Sequence, residues 1–600
     1  MPDYVFGTGE SLKSLTIGAG VLSISNYAFR SEYSSSSKQP IKTIWLTNTP
    51  PSGYGNASGT VNYVANDLYT WLNNKMVYQF LSSIFEVDGV KYVPVSPSER
   101  TCDAIDCAYN ESAEKIIIGK TASFRGIEMT VKNVNQYACY ENRFTKNVDL
   151  SNDGNVGDYA FYGCADILTA DIKNAGDIGQ YAFSGNNAMY NAIVNNKGTI
   201  GSNAFYQNTG LKTLEIGESV SNIASEAFSG CTNLETAKIQ NKGGIADKVF
   251  QNCSAMKAAI LGEGITSIGQ YAFDGCQKLQ DVVIPDAVTS LGSYAFQKCA
   301  SMTSAKMGAG LTAINEYAFS ECTSLTDVLI GSHVATIGSN AFSNCSALPR
   351  IQIPQSVTEI KNYTFSGCRS LKDVIMDDRR GDDTALTLGS NGSSPLFVNC
   401  PLDSVYIGRN ISYSTSSYYG YSPFYRNTSL RSVTITDKET EISPNEFYGC
   451  TNLKNVSIGD GVTTIGDWAF SGCSSLDFFA FGSSVGSIGQ EAFSDCTAMT
   501  RLISRAVTPP TCGAQALDDI NKWNCTLSVP VGHVSAYQQA SQWKDFFFIN
   551  DDASGISKLT NERATPAHIY DLDGRRRETA MPGLNIIRMS DGRTKKVVVK

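Results

Sequence analysis

The chain has 600 residues, 42% hydrophobic and 18% charged, with 48 Lys and Arg against 57 Asp and Glu for a net charge of −9. That acidic balance disfavours nucleic acid and anionic membrane surfaces as partners. The sequence holds no run of 18 apolar residues that could insert into a bilayer. A chain this long ordinarily divides into several globular domains, unless it repeats itself.

It repeats itself from the start. Met1-Pro2-Asp3 leads directly into repeat text, and Phe6 to Phe29 is a step of 23 residues. The chain is therefore expected to begin inside a coil, as a fragment whose upstream part, export signal included, is missing. Residues 1–82 read as the end of a first array with its C-terminal cap, where Thr49-Pro50-Pro51 precedes Val61-Asn62-Tyr63-Val64 and Tyr69-Thr70-Trp71. Residues 83–130 read as a β-rich linker or N-terminal cap of a second array, because Phe85–Val95 alternates around Asp88-Gly89 like a hairpin.

The second array spans 131–505. Its landmark phenylalanines are Phe161, Phe183, Phe205, Phe228, Phe250, Phe273, Phe296, Phe319, Phe342 and Phe365, in steps of 22 or 23. Self-similarity at that period, with Leu, Val and Ile at fixed offsets, predicts a leucine-rich-repeat solenoid. In the best-formed coil Leu279, Val282 and Ile284 supply a strand's inward residues and Pro285 ends it. Val288 and Leu291 form a second inward pair, while Ala295, Phe296 and Cys299 follow at helical or 3-10 spacing. No coil buries this set alone, but a stack does. The fold class is thus a right-handed solenoid of the α/β repeat class. It has a parallel sheet on one face, short helical or 3-10 turns and loops on the other, and a small all-β C-terminal domain.

Regularity fails once. Phe365 to Phe397 is 32 residues and Phe397 to Phe424 is 27. The excess, an insertion at 377–425, holds Asp377-Asp-Arg-Arg-Gly-Asp-Asp383 and the tyrosines 413, 418, 419, 421 and 425. Insertions in solenoids often map to a binding face. The acidic cluster is expected to form solvated ion pairs rather than a calcium site, since arginines are interleaved. Its Arg380-Gly381-Asp382 tripeptide carries little weight at this chain length. Residues 506–550 read as a cap, with Thr508-Pro509-Pro510, Leu527-Ser-Val529, Tyr537 and Trp543. Residues 556–600, with Asp573-Gly574 and Asp591-Gly592 turns, read as a small β domain.

Twelve of the 17 cysteines, from Cys164 to Cys496, sit three residues after a landmark Phe, and Asn186, Asn208 and Asn427 take the same slot elsewhere. A residue interchangeable with Asn is not half of an obligatory bridge. These thiols are expected to be buried, free and bonded to backbone at the turn of the next coil. Cys102 and Cys107 could pair with each other or with Cys139.

The coil text Leu-x-x-Val-x-Ile-(Gly/Pro)…Val-x-x-Ile-Gly-x-x-Ala-Phe-x-x-Cys resembles the BspA-like leucine-rich repeats of Bacteroidetes surface proteins. The tail, with Tyr570-Asp-Leu-Asp-Gly574 and Lys595-Lys-Val-Val-Val-Lys600, resembles the sorting-type domains of the same bacteria. The resemblance implies a secreted or surface-attached protein, and for some members adhesion to host matrix proteins or other bacteria.

Chemistry is sparse. The three histidines, His333, His533 and His568, stand beside no plausible nucleophile, and no phosphate-loop, His-Glu-x-x-His or Cys-x-x-Cys motif occurs. No catalytic residue, metal site or cofactor is expected. Binding residues are expected at the outward strand position, where Ile260, Val283, Leu329, Ile375 and Tyr406 are apolar, and at Tyr413, Tyr418, Tyr419 and Tyr421 of the insertion. The competing reading of the apolar positions is ordinary strand propensity. The expectation is a monomeric, non-enzymatic binding or adhesion protein at the outer cell surface or outside the cell. Its expected ligand is a host matrix or cell-surface protein, with no nucleic acid and no membrane insertion. A glycan-binding protein of a polysaccharide-uptake system, or a plain spacer, is the alternative.

Overall fold

A strand with two inward apolar side chains is too short to be stable by itself, and this chain solves that by stacking one strand per coil. The computed structural model describes residues 84–96, 98–107, 114–378, 384–389, 396–413 and 422–551. It also describes the backbone of strands at 14–17, 43–46, 566–570, 576–577, 583–589 and 594–599. The chain forms two compact units, Met1–Leu279 and Gln280–Lys600.

In the first unit, Ser14–Ile17 pairs in parallel with Thr43–Leu46; the Thr49–Trp71 cap lies outside the described residues. Phe85–Val87 and Val90–Ser96 form the expected hairpin, turning through Asp88 and Gly89 at φ 48° and 79°. The hairpin extends into a five-stranded sheet with Thr101–Cys107, Thr121–Phe124 and Ile127–Val134. Cys107 is bonded to Cys139, with Cα atoms 5.1 Å apart, while Cys102 is buried and free. The disulfide therefore ties this sheet to the first turn of the array. Lys115–Ile118 already pairs in parallel with Asn147–Leu150, so the coil sheet starts inside the linker span. Thr169–Ile172, Asn191–Val194, Thr213–Ile216, Thr236–Ile239 and Ala258–Leu261 continue it in register.

In the second unit the same sheet text recurs in three runs. These are Asp281–Val283 to Asp327–Leu329, Arg350–Ile353 to Asn455–Ser457, and Phe478–Phe481 to Phe548–Asn550. Short second strands such as Thr336–Ile337 and Glu359–Ile360 pair in parallel alongside.

The turn side departs from the expected helical spacing: it is built of turns, not helix. In most coils one residue two before the landmark and one two after it adopt left-handed backbone, as at Tyr317 (φ 54°) and Glu321 (φ 61°) around Phe319. This alternation sends every second N–H to the following coil: Tyr317, Phe319 and Glu321 donate to the carbonyls of Ser339, Ala341 and Ser343 at 3.0, 2.8 and 2.8 Å. The intervening N–H groups close local turns, Ser320 donating to Tyr317 at 3.1 Å. The rule that buried backbone polar groups find partners is thus met without helix or sheet.

Inside, the Phe rings stack coil on coil. Phe161 to Phe273 in the first unit and Phe296 to Phe493 in the second are spaced 4.9–5.8 Å and inclined by 4–17°. The ladder thiols are free and buried. They bond to the preceding coil rather than the next: Cys322 donates to the Phe296 carbonyl at 3.2 Å, and Cys345 to that of Phe319 at 3.2 Å. Cys299 N–H also reaches Phe296 O, at 3.4 Å, so the thiol takes that carbonyl's second lone pair. Burial pushes the thiols of Cys231, Cys450 and Cys496 up to about 12, so they stay protonated donors. The Ile-Gly motif has a steric cause at Gly489, where an added Cβ would meet Asp467 N at 2.4 Å.

The final coil is closed by an aromatic cap. Tyr537, on the short helix Val534–Gln539, donates to Ala506 O at 2.7 Å, and Trp543 Nε1 donates to Pro510 O at 2.8 Å. Gln542 stands in for the missing next coil: its Oε1 accepts the Leu517 N–H at 3.0 Å, and its Nε2 donates to Gly513 O. Beyond the cap, Pro566–Tyr570, Arg576–Arg577, Gly583–Met589 and Thr594–Val599 form an antiparallel four-stranded sheet.

Candidate functional site

Strand periodicity points each second side chain out of the sheet, and in-register parallel pairing lines these positions into rows. In the first unit one row runs Ile117, Asp149, Asp171, Ile193, Glu215, Lys238, Ile260. Ile260 is half exposed, but its neighbour Lys238 is ion-paired to Glu215 at 2.7 Å. Ile117 and Ile193 share the row and are exposed, and sequence reading named neither.

In the second unit Val283, Lys306 and Leu329 are successive neighbours, then Gln352, Ile375, Tyr406, Thr434 and Ser457. Val283 is exposed at 59%, whereas Leu329, Ile375 and Tyr406 are partly buried. The apolar outward residues are therefore broken up by charge, with one exception. Ile375 and Tyr406 are direct neighbours, with no polar side chain between them.

Carboxylates border that pair. Tyr406 OH donates to Asp378 Oδ1 at 2.9 Å, and Gln352 Nε2 reaches both oxygens of Asp377 at 3.0 Å. In the adjacent row Ser404 Oγ donates to Asp373 at 2.6 Å. The result is an apolar centre with an acidic, hydrogen-bonded rim, in the pattern of a recognition patch.

The insertion tyrosines fall differently. Tyr418, Tyr419 and Tyr421 lie outside the described residues, as do Arg380-Gly381-Asp382. Tyr413 turns inward: its OH donates to Pro444 O at 3.3 Å, and burial, followed by repulsion from Glu446, holds the phenol far above its usual value. It is no exposed platform.

Behind it lies a polar interior that sequence reading passed over. Glu439 accepts the Ile411 N–H at 3.1 Å and Glu446 accepts the Ser443 N–H at 2.7 Å, both fully enclosed. Burial raises both carboxyls into the alkaline range, and Glu446 adds to the shift at Glu439. Arg409 is buried too, donating to the carbonyls of Pro354, Gln355 and Val357 at 3.0, 3.1 and 2.8 Å. Its sequence signal is slight, because a lone Arg after a strand reads as solvated. Among the described residues no cluster of His, Cys, Asp and Glu could hold a metal, and no helix is long and apolar enough to cross a membrane.

A family model for the BspA type leucine rich repeat region matches in six copies, at residues 132–257, 243–372 and 419–507, more than half of the chain. The chain belongs to the BspA-type leucine-rich repeat family. No curated protein matches this BspA-type chain. Solved structures do, at low identity. A leucine-rich repeat protein from Bacteroides ovatus is 20% identical, covering 78% of this chain and 98% of its own, with a TM-score of 0.39. A leucine rich cell surface protein from Faecalibacterium prausnitzii is 22% identical, covering 70% and 94%, with a TM-score of 0.24. The pneumococcal vaccine antigen PcpA is 15% identical, covering 63% and 98%, with a TM-score of 0.29.

Proposed function

We propose that this BspA-type repeat protein is a non-enzymatic, exported surface protein. It binds a host matrix or cell-surface protein through the strand face of its second unit, centred on Ile375 and Tyr406. The observation that carries this reading is the adjacency of those two side chains inside a rim of Asp373, Asp377 and Asp378. Apolar centres with polar rims are where binding energy concentrates, and Tyr adds contact area at low entropic cost. The acidic rim favours a partner presenting Lys or Arg. Val283 and Leu329, on the same unit, contribute as isolated contacts.

Export is supported by the Cys107–Cys139 bond, since disulfides persist in oxidising compartments. The tail at 556–600 then serves as the sorting-type segment. The test is a binding screen against immobilised matrix proteins with Ile375→Lys and Tyr406→Ala variants. A loss of tenfold or more in affinity, with unchanged thermal melting, supports the assignment. Unchanged binding by both variants would show the strand face to be a spacer.

A further inference from the structure

On the turn side of the second unit the inter-coil ladder loses its backbone bonds at the seam that follows Phe397. Phe365 and Gly367 donate to Leu396 and Val398 at 3.3 and 2.7 Å, and Arg426 donates to Tyr448 at 2.7 Å. Between those, among the described residues, no backbone-to-backbone hydrogen bond joins the turn at Phe397–Asn399 to the turn at Pro423–Tyr425. The strands of the same two coils stay paired, Ser404 to Ser432 and Ile407 to Ile435. The coils therefore keep full pairing on the sheet side, while their turns are tied by the Asn427 side chain, which donates to Cys400 O at 2.8 Å, and by the Phe397–Phe424 stack. The gap is a cleft of about 660 Å³.

Its lining has one sign of charge. Arg369 and Arg426 face the cleft together with Asn399, Tyr425, Thr428 and Ser429, and no Asp or Glu among the described residues lines it. Neither guanidinium has a carboxylate partner among the described residues. From Phe161 to Phe493 neither slot holds arginine in any other coil: the slot after the ladder Cys holds residues such as Thr232, Ser254 or Gln277, and the slot of Arg426 holds Gly367, Gly449, Lys298 or Glu321. Arg426 keeps left-handed backbone there (φ 53°) despite its side chain. Its guanidinium lies 5.2 and 5.9 Å from the stacked rings of Tyr425 and Tyr448, which hold it in place.

We propose that this cleft binds an anionic saccharide unit, carboxylated or sulfated, with Arg369 and Arg426 on the anion and Asn399, Thr428 and Ser429 on the ring hydroxyls. Paired guanidiniums without competing carboxylates suit planar or tetrahedral oxyanions. The volume lies within the range that holds a small ligand. An acidic peptide side chain would engage the arginines but leave the amide and hydroxyl groups idle, whereas a sugar acid uses both sets. This site is separate from the strand face and does not depend on it.

The test is isothermal titration of the full chain with four probes: oligogalacturonate, its neutral methyl ester, a heparin-derived sulfated oligosaccharide and oligoglutamate. At least one anionic sugar is expected to bind ten or more times tighter than the neutral ester and than oligoglutamate, with affinity falling as salt rises. Arg369→Gln and Arg426→Gln, both at exposed positions, are each expected to lower that affinity about tenfold without shifting the melting temperature. Which anionic sugar binds identifies the anion. Equal binding of the neutral ester, oligoglutamate binding as tightly as the sugars, or no sugar binding at millimolar concentration overturns the proposal. Matrix-protein binding is read separately, so failure of either site leaves the other standing.

Discussion

Between Phe296 and Phe365 the second unit repeats one 23-residue coil three times; between Phe365 and Phe447 it lengthens two coils, by 9 and 4 residues over that step. The regular stretch satisfies its interior with backbone, Phe rings and thiols. The irregular stretch buries Arg409, Glu439 and Glu446 and opens a cleft on the turn side. Arg409 reaches the loop at Ile353–Val357 from two strands away, across the coil that carries the insertion. Repetition leaves no room for chemistry, because each residue must fit its copies above and below. Chemistry concentrates where the repeat is broken.

The largest expected effect sharpens that contrast at its core. Phe319→Ala removes a ring stacked on both sides, at 5.4 and 5.5 Å, and should cost about 3–5 kcal/mol in chemical denaturation. Phe397→Ala should cost less, because its turn lacks backbone ties to the following coil and can collapse around the void. Equal losses would show that the broken ladder does not loosen the irregular region.

The buried carboxyls give the next effect. An unfolded Glu446 releases its proton near pH 4.5, whereas burial keeps it in the folded chain until about 8. The stability this group contributes is complete below pH 4.5 and is lost as pH rises to about 8, with no further change from it above. The slope is at most about 1.4 kcal/mol per pH unit for each such carboxyl. Glu446→Gln should flatten the denaturation midpoint across that window, and an unchanged slope would place the pH response elsewhere.

At the cap, Gln542→Ala should cost about 1–3 kcal/mol, because the Leu517 N–H then has no acceptor. Amide exchange at Leu517, faster than at Phe493, is the readout. Smallest is Cys322→Ala, at about 1 kcal/mol, read by thermal melting, since one carbonyl lone pair and a small volume are lost. The ladder thiols should also resist a thiol reagent in the native state and react after denaturation without reductant. Reaction only after reduction would mean bridges.

Much of this was legible in residue types. The Phe landmark, the period-2 inward positions and the interchange of Cys with Asn announce stacked rings and a buried thiol ladder. Tyr537 and Trp543 announce the cap. The left-handed residues were not legible, because Tyr294, Glu226, Lys248, Asn340 and Trp468 share no side-chain chemistry. Their conformation is set by hydrogen bonds to a coil some 22 residues away. Ionisable groups mislead for a related reason: Glu446 and Arg409 read as solvated until the fold encloses them. At the strand face, the repeat offsets already put Lys306 and Gln352 among the apolar members of the row, and the pairing adds that Ile375 and Tyr406 stay in register across the insertion.

One feature of the turns bears on how such chains change length. Between Phe296 and Phe365, as at Tyr317, Phe319 and Glu321, the alternate N–H groups point toward the later coil and their acceptors toward the earlier one. Every seam of the regular stretch is consequently the same seam. A duplicated or deleted winding in the regular stretch meets donors with acceptors at both junctions, so in-frame recombination between copies can extend or shorten the protein without new contacts being devised. The last winding still needs a stopper for its outward donors, and the Gln542 amide accepts one of them beside the aromatic cap.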